Sequence, residues 1–318
     1  LQKDVVWTRD DASRSQTQAR VDALLAQPLS ADAAVQIALL NNPGLQAAFN
    51  TLGIAEADWV AAQRLPNPGL TLARKTRGSE VEWERMLHFS LAALLTIPIR
   101  ADIEQRLFEQ TRHELVLQVL RLAADTRKAW VAAVAAGQSA HYQQQAMEAA
   151  EAGAELARRM AQVGNWSRLK QAREQTFYAD AALAVARAEQ AKRQTHERLV
   201  RLMGLHGADR LQLPGRLPDL PTALPGLPDV EQQAMDSRID LQLTRLQTEA
   251  LAKHLGLTRS TRLINVLELG IINNSSNEEP QQRGYEISFE LPLFDWGETR
   301  VVQAESRYRQ ALERARET

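Results

Sequence analysis

The sequence contains no cysteine, which removes disulfides, thiolate nucleophiles and cysteine-based metal clusters together. Neither sign of charge is in surplus: 38 Lys and Arg stand against 39 Asp and Glu, for a formal net charge of -1. Without a basic excess there is no footprint for a phosphate backbone, so no nucleic-acid partner is expected. Aromatic residues make up 5% of the 318 residues, too few for the bulky core of a conventional globule of that length. No run approaches the roughly 20 apolar residues of a spanning helix, so any membrane contact has to be made by strands. The first residues show no basic segment followed by an apolar one, and a secretory leader is expected to have been removed.

What is abundant is alanine at helical spacing. From Leu115, apolar or small residues recur at alternating steps of four and three: Val119, Leu122, Thr126, Ala129, Ala133, Ala136, Ala140, Gln143, Met147, Ala150, Ala154, Ala157 and Ala161. This is a heptad seam in which small side chains let backbones approach closely. Val163-Gly164-Asn165 then reads as a stop and turn, and a second helix runs from about Ser167 to Leu205. That helix has two stripes, one through Leu169, Ala172, Thr176, Ala179, Leu183 and Ala186, the other through Phe177, Ala181, Ala184, Ala188, Ala191, Leu199 and Leu202. Two stripes predict neighbours on two sides. At 1.5 Å per residue, a helix from Arg100 to Gln162 would be about 90 Å long, so the hairpin 100–205 reads as a rod.

Around it the elements are shorter. Residues 1–28 form a polar segment with a short helix through Gln18, Val21, Leu24 and Leu25. Ser30 caps a helix stopped by Asn41-Asn42-Pro43, and another runs from about Gly44 to Arg64. Pro66 and Pro68 end helical structure. Strands are expected over Leu70–Thr76 and Arg85–Ile97, the second with Leu87, Phe89, Leu91 and Leu95 on one side, although Leu94 breaks the alternation and Ala92-Ala93-Leu94-Leu95 fits a helical fragment equally well. A linker over 206–228 carries five prolines. Beyond it come a short helix through Val230, Ala234 and Met235, a helix from Asp240 to Leu257, strands over Thr261–Ile272 and Gly284–Leu293, and a helix from about Glu298.

This order repeats the earlier one. Asn42-Pro43-Gly44-Leu45-Gln46 aligns with Arg238-Ile239-Asp240-Leu241-Gln242 at an offset of 196, and Thr96-Ile97-Pro98-Ile99 with Glu290-Leu291-Pro292-Leu293 at 194. The chain therefore reads as a duplication, repeat 1 over 29–205 and repeat 2 over 229–318. The first copy extends 107 residues past Pro98 to Leu205 whereas 26 follow Pro292, so repeat 2 is expected to be truncated and the chain to be part of a longer one.

Candidate chemistry is sparse. His88, His113, His141, His196, His206 and His254 form no i, i+4 pair with a carboxylate, so no metal site is expected. Asp102, Glu104 and Glu109 fall at the start of the long helix, where helix-dipole electrostatics accounts for them. No Ser/His/Asp set, phosphate loop or nucleophile elbow is present; neither an enzyme nor a cofactor is expected. The last strand alternates cleanly, Tyr285, Ile287, Phe289, Leu291 and Leu293 against Glu286, Ser288 and Glu290. Two readings of that pattern stand open, a soluble sheet covering a core and the wall of a membrane barrel. Trp59, Trp83 and Trp296 fit an aromatic belt in the second reading, although Trp59 also fits a helix core.

The order helix pair, strand hairpin, long helical hairpin, Pro-rich link and the same again resembles the TolC family of outer-membrane efflux channels. The resemblance is carried by Arg64-Leu65-Pro66-Asn67-Pro68-Gly69-Leu70, Ser288-Phe289-Glu290-Leu291-Pro292-Leu293-Phe294-Asp295-Trp296-Gly297, Val163-Gly164-Asn165-Trp166-Ser167-Arg168-Leu169 and Leu202-Met203-Gly204-Leu205. It implies a mainly α fold with a minor β part: α-barrel helical hairpins plus two β-hairpins that join a transmembrane β-barrel in a homotrimer. It implies strand-to-helix junctions at Pro66, Pro68, Pro98, Pro292, Asp295 and Gly297. Lipid-facing strand positions would be Leu87, Phe89, Leu91, Tyr285, Ile287, Phe289 and Leu291. A hairpin tip at Val163, Gly164, Asn165, Ser167 and Arg168 would meet a periplasmic adaptor protein, with an inner-membrane pump engaged indirectly. The implied setting is the outer membrane and periplasm of a Gram-negative bacterium, and the implied role a passive exit duct. The alternative from another class is a soluble coiled-coil scaffold using the same tip as a binding point.

Overall fold

The computed structural model describes residues 3–207, 211–219, 229, 230, 232, 238–264 and 266–317. The chain divides into two compact units, Leu1–Phe49 with Gln118–Pro228 and Asn50–Leu117 with Asp229–Thr318. Two helices, α3 (Pro43–Ala62) and α4 (Leu91–Gln162, 72 residues), contribute residues to both.

In the first unit, α1 (Asp11–Leu25) starts at a capping box in which Asp10 accepts from the Ser13 backbone N–H at 2.7 Å. α2 (Ala31–Asn41) is capped by Ser30, whose Oγ accepts from Ala33 N at 3.1 Å. Six of its eleven residues are buried because it is apolar on most of its circumference. Four of them, Ala34, Ile37, Ala38 and Leu40, pack with Val21, Leu29, Ala129, Trp130, Ala133, Val134, Leu199 and Met203 in one core. Trp130 satisfies its indole there, donating to the Leu29 carbonyl at 2.8 Å. The described part of the linker lies on this unit, with Leu29 N donating to Gln212 O at 2.8 Å and Leu211, Leu213 and Leu217 packed against the core.

The alanine seam of α4 is covered along its length. Leu115, Thr126, Ala129, Ala133, Ala140, Ala150, Ala154 and Ala157 are buried, and the remaining seam positions are half-buried. α5 (Arg168–Leu202) differs from expectation: every residue of the stripe Leu169, Ala172, Thr176, Ala179, Leu183 and Ala186 is exposed, Leu169 at 63%. Among the described residues, that side of α5 has no neighbour covering it. α5 ends in a Schellman motif at Gly204 (φ 66°), with Gly204 N on Arg201 O and Leu205 N on Val200 O. The Asn41-Asn42 pair, read as a helix stop, also closes this end. Asn41 Nδ2 donates to Gly204 O at 2.8 Å and Met203 O at 3.1 Å, and Asn42 Nδ2 donates to Leu202 O at 2.9 Å.

In the second unit, β1 (Gly69–Arg77), β2 (Glu80–Ser90), β3 (Leu267–Ser276) and β4 (Gln282–Phe289) form one sheet in the order β1-β2-β3-β4, each neighbour antiparallel. α6 (Ile239–Thr261) leads into β3 and α7 (Glu298–Glu317) follows β4. The order α3-β1-β2-α4 thus recurs as α6-β3-β4-α7. Ala250, Leu255, Ala304 and Ala311 of α6 and α7 are buried. Gly297 (φ 72°) precedes α7, where a Cβ would lie 2.5 Å from Arg262 O.

Several boundaries are corrected. The expected strand 85–97 begins earlier and stops at Ser90, whose Oγ accepts from Ala93 N at 3.3 Å, because Leu91-Ala92-Ala93-Leu94-Leu95 are strong helix formers. Pro98 therefore sits inside α4 rather than at a junction. Thr261 ends α6 instead of opening a strand, and β4 stops at Phe289, ahead of Leu291 and Leu293. Asp102 is eleven residues into α4, beyond the reach of the helix end. It pairs instead with Lys253 of α6 and with Arg106, which also meets Glu249. The hydrogen bond from Lys253 is the largest cause holding its carboxyl below the usual range. Of the short helix expected through Val230, Ala234 and Met235, the last two residues lie outside the described ones.

Candidate functional site: the four-stranded sheet and the hairpin turn

Side chains alternate across a strand and directly paired residues share a face, so the register assigns the two faces of the sheet. The row Leu70–Leu87–Ile271–Tyr285 fixes one face, and Phe89, Leu269 and Ile287 form the next row on it. Leu72, Leu267 and Phe289 extend the apolar area. The other face carries Thr71, Lys75, Glu82, Glu84, His88, Glu268, Glu286 and Ser288.

The apolar face is left open. Leu70 is 64% exposed, Tyr285 80%, Ile287 55% and Phe289 64%. A sheet laid over a soluble core would show the reverse, with its apolar side covered. The strands are 9, 11, 10 and 8 residues long, close to the roughly 9–11 residues of a tilted membrane strand. Among the described residues β1 and β4 each pair on one side only, so the sheet has two free edges. Both hairpin turns lie at one end of the sheet, and every connection to a helix leaves from the other.

At the far end of α4 the turn is a second Schellman motif. Gly164 (φ 81°) takes the left-handed position, its N–H on Ala161 O, and Asn165 N donates to Met160 O at 2.9 Å. Ser167 restarts the chain as the N-cap of α5, accepting from Lys170 N. Val163 is 70% exposed and Arg168 is exposed beside it, whereas Lys170 lies over the Trp166 ring at 5.7 Å. More than two turns back, Glu155 is held by Arg158 and Arg159, which lower its pKa to about 2.

Of the junction residues, Pro66 and Pro68 occupy the loop between α3 and β1, while Pro292, Asp295 and Gly297 lie between β4 and α7. Asp295 Oδ1 accepts from Gly297 N at 2.8 Å. Leu87, Phe89, Tyr285, Ile287 and Phe289 share the apolar face. Leu91 and Leu291 do not belong to a strand, the first being helical and the second following β4. Trp83 is on the apolar face, 42% exposed; Trp296 is 58% exposed, and Trp59, half-buried, stacks on Phe108 of α4 at 5.5 Å. Sequence reading missed Leu70, Leu72, Leu269 and Ile271 as members of this face. The alternation of β1 over Leu70, Thr71, Leu72 and Ala73 carried the signal, blurred by Ala73 and by the charged residues that follow.

No protein-family model and no curated protein matches this sequence. Solved structures do match over most of the chain. A membrane protein from Pseudomonas aeruginosa superposes with a TM-score of 0.72 at 18% identity, covering 93% of this chain and 73% of the other. The outer-membrane channel OprN gives 0.70 at 16%, covering 99% and 77%. The outer-membrane protein VceC from Vibrio cholerae gives 0.67 at 15%, covering 95% and 76%. The chain has the fold of the TolC-type outer-membrane channels: mainly helical, with long helices and a small antiparallel sheet.

Proposed function

We propose that this chain forms part of the wall of an outer-membrane channel, a passive exit duct that spans membrane and periplasm. The observation that carries the reading is the sheet itself, apolar and open on one face, polar on the other, with two free edges. In hydrocarbon each unpaired edge group costs several kcal/mol, so the sheet has to close through other copies. Three copies supply twelve strands, a barrel of β1 against β4 at each seam, with the apolar face to lipid and the carboxylates toward the lumen. The exposed stripe of α5 is then the surface that a neighbouring copy covers, which accounts for the second stripe.

In this reading the tip Val163, Gly164, Asn165, Ser167 and Arg168 is the contact for a periplasmic adaptor, with a pump in the inner membrane supplying energy. Residues 29–205 and 229–318 are the two repeats, joined by the 206–228 link, and a Gram-negative outer membrane is the location. This chain performs no covalent chemistry; its work is geometric. The test is purification of the full-length protein in detergent, mass determination by light scattering, and recording in planar bilayers. A detergent-dependent trimer that conducts ions is expected. A monomer that stays soluble without detergent and does not conduct overturns the proposal in favour of a soluble scaffold.

A further inference from the structure

The charges of the strands are sorted by face. Every strand carboxylate, Glu80, Glu82, Glu84, Glu268 and Glu286, stands on the polar face, and none stands on the apolar one. Three arginines do stand on the apolar face. Arg85 and Arg283 share the register Leu72–Arg85–Asn273–Arg283, and Arg74 shares the next one with Trp83 and Ser275. These two rows border the apolar area on the side of the hairpin turns. All three arginines and Trp83 are exposed.

None of the three forms an ion pair among the described residues. Arg85 donates to Ser275 Oγ at 3.1 Å, Arg283 to Gln281 Oε1 at 3.4 Å, and Arg74 lies 5.9 Å from the centre of the Trp83 ring. Each therefore keeps guanidinium N–H groups free of any carboxylate. An arginine facing lipid is costly at mid-depth and nearly free at the boundary, so these rows mark where the hydrocarbon ends. At that depth the facing groups are lipid phosphates, which match the planar fork of arginine, and a tryptophan beside them is the usual interfacial residue.

We infer that Arg74, Arg85 and Arg283, with Trp83, form a recognition row for phosphate-bearing, net-anionic lipid headgroups at the turn-side boundary of the barrel. The inference rests on the sheet being a membrane wall. Since the four helices joined to the strands all leave from the opposite end of the sheet, the leaflet concerned is the one away from the periplasm. Charge complementarity selects the occupant: a row of cations with no carboxylate on its face attracts anionic headgroups over net-neutral ones.

The test uses the full-length protein in detergent micelles, titrated with phosphatidylglycerol or with phosphatidylcholine of the same acyl chains, the bound lipid being counted by native mass spectrometry. Wild type should prefer phosphatidylglycerol. Each Arg→Gln change should weaken that binding about five-fold, and R74Q/R85Q/R283Q together by about a hundred-fold, with phosphatidylcholine unaffected. Should the triple variant not assemble, Arg85→Gln alone carries the test. Arg77→Gln, on the polar face, should leave the preference intact. Equal binding of the two lipids by wild type, or a preference that survives the triple change, overturns the inference. Displacement of the lipid by an equal concentration of inorganic phosphate overturns it too, since the row would then be a general anion site. A conducting trimer without the lipid preference refutes this inference alone, whereas a soluble monomer refutes the channel reading beneath it.

Discussion

Ile287 offers the sharpest separation between a soluble sheet and a membrane wall. It sits in β4, in the row Phe89–Leu269–Ile287, 55% exposed in the single chain. That row is four residues along β4 from Arg283, about 13 Å at the rise of a strand and about 9 Å in depth for a tilt of about 45°, which places it well inside the hydrocarbon. If the sheet faced water, Ile287→Arg would change stability by no more than about 0.5 kcal/mol, as surface substitutions do. If it faces lipid, the same change should cost about 2–4 kcal/mol per chain, a factor of roughly 30 to 1,000 in the folding equilibrium. The control is one residue away. Ser288→Arg places the same side chain on the polar face, among Glu268 and Glu286, and should be nearly neutral. The assay is guanidinium unfolding of the full-length protein in lipid vesicles, followed by tryptophan fluorescence. Matching midpoints for the two variants would refute the assignment of faces, and with it the wall.

Two glycines separate backbone strain from packing. Gly204→Ala should destabilise by roughly 2–4 kcal/mol, since a left-handed alanine costs about 1–2 and the new Cβ would lie 2.4 Å from Asn41 O, loosening the Asn41 amide bonds. Gly164→Ala has the same φ sign but meets nothing, so about 1–2 kcal/mol is expected; equal falls in Tm by circular dichroism would contradict the packing argument. Asp102 has its folded pKa lowered by Lys253, so the stability it lends is present above its ordinary value of 3.8 and disappears as pH falls through the lowered one. Asp102→Asn should therefore weaken the protein at pH 7 and leave it closer to wild type in strongly acid solution, measured by urea unfolding at both. Trp130→Phe should cost about 1–3 kcal/mol because it strands the buried Leu29 carbonyl.

Helical and strand periodicities are local, and they were legible where many residues repeated them. The fourteen-position seam from Leu115 to Ala161 contains no exposed residue, because a long heptad pattern averages over any one irregular side chain. Ser30 and Gly164 announced their helix ends for a similar reason: caps act on backbone groups within a few residues. The β2–α4 boundary was ambiguous because Ala92-Ala93-Leu94-Leu95 suits a strand and a helix alike, and the structure places it at Ser90, whose hydroxyl accepts from Ala93 N. Asp102 was misassigned because its partner, Lys253, is 151 residues away.

The sequence by itself determined the long helical hairpin, its turn at Gly164, the recurrence of helix and strand pair at an offset of 196, and the alternation of β4. These follow from repeat lengths of a few residues, which chain geometry converts directly into faces. Tertiary structure alone decided which face is which. Strand register aligned Leu70, Leu87, Ile271 and Tyr285 into one open apolar row and gathered Arg74, Arg85 and Arg283 at its border, while packing covered one side of α5 and left the other bare. Alternation states that a strand has two kinds of side; only the neighbours that cover one of them, or fail to, tell which side meets protein, water or lipid.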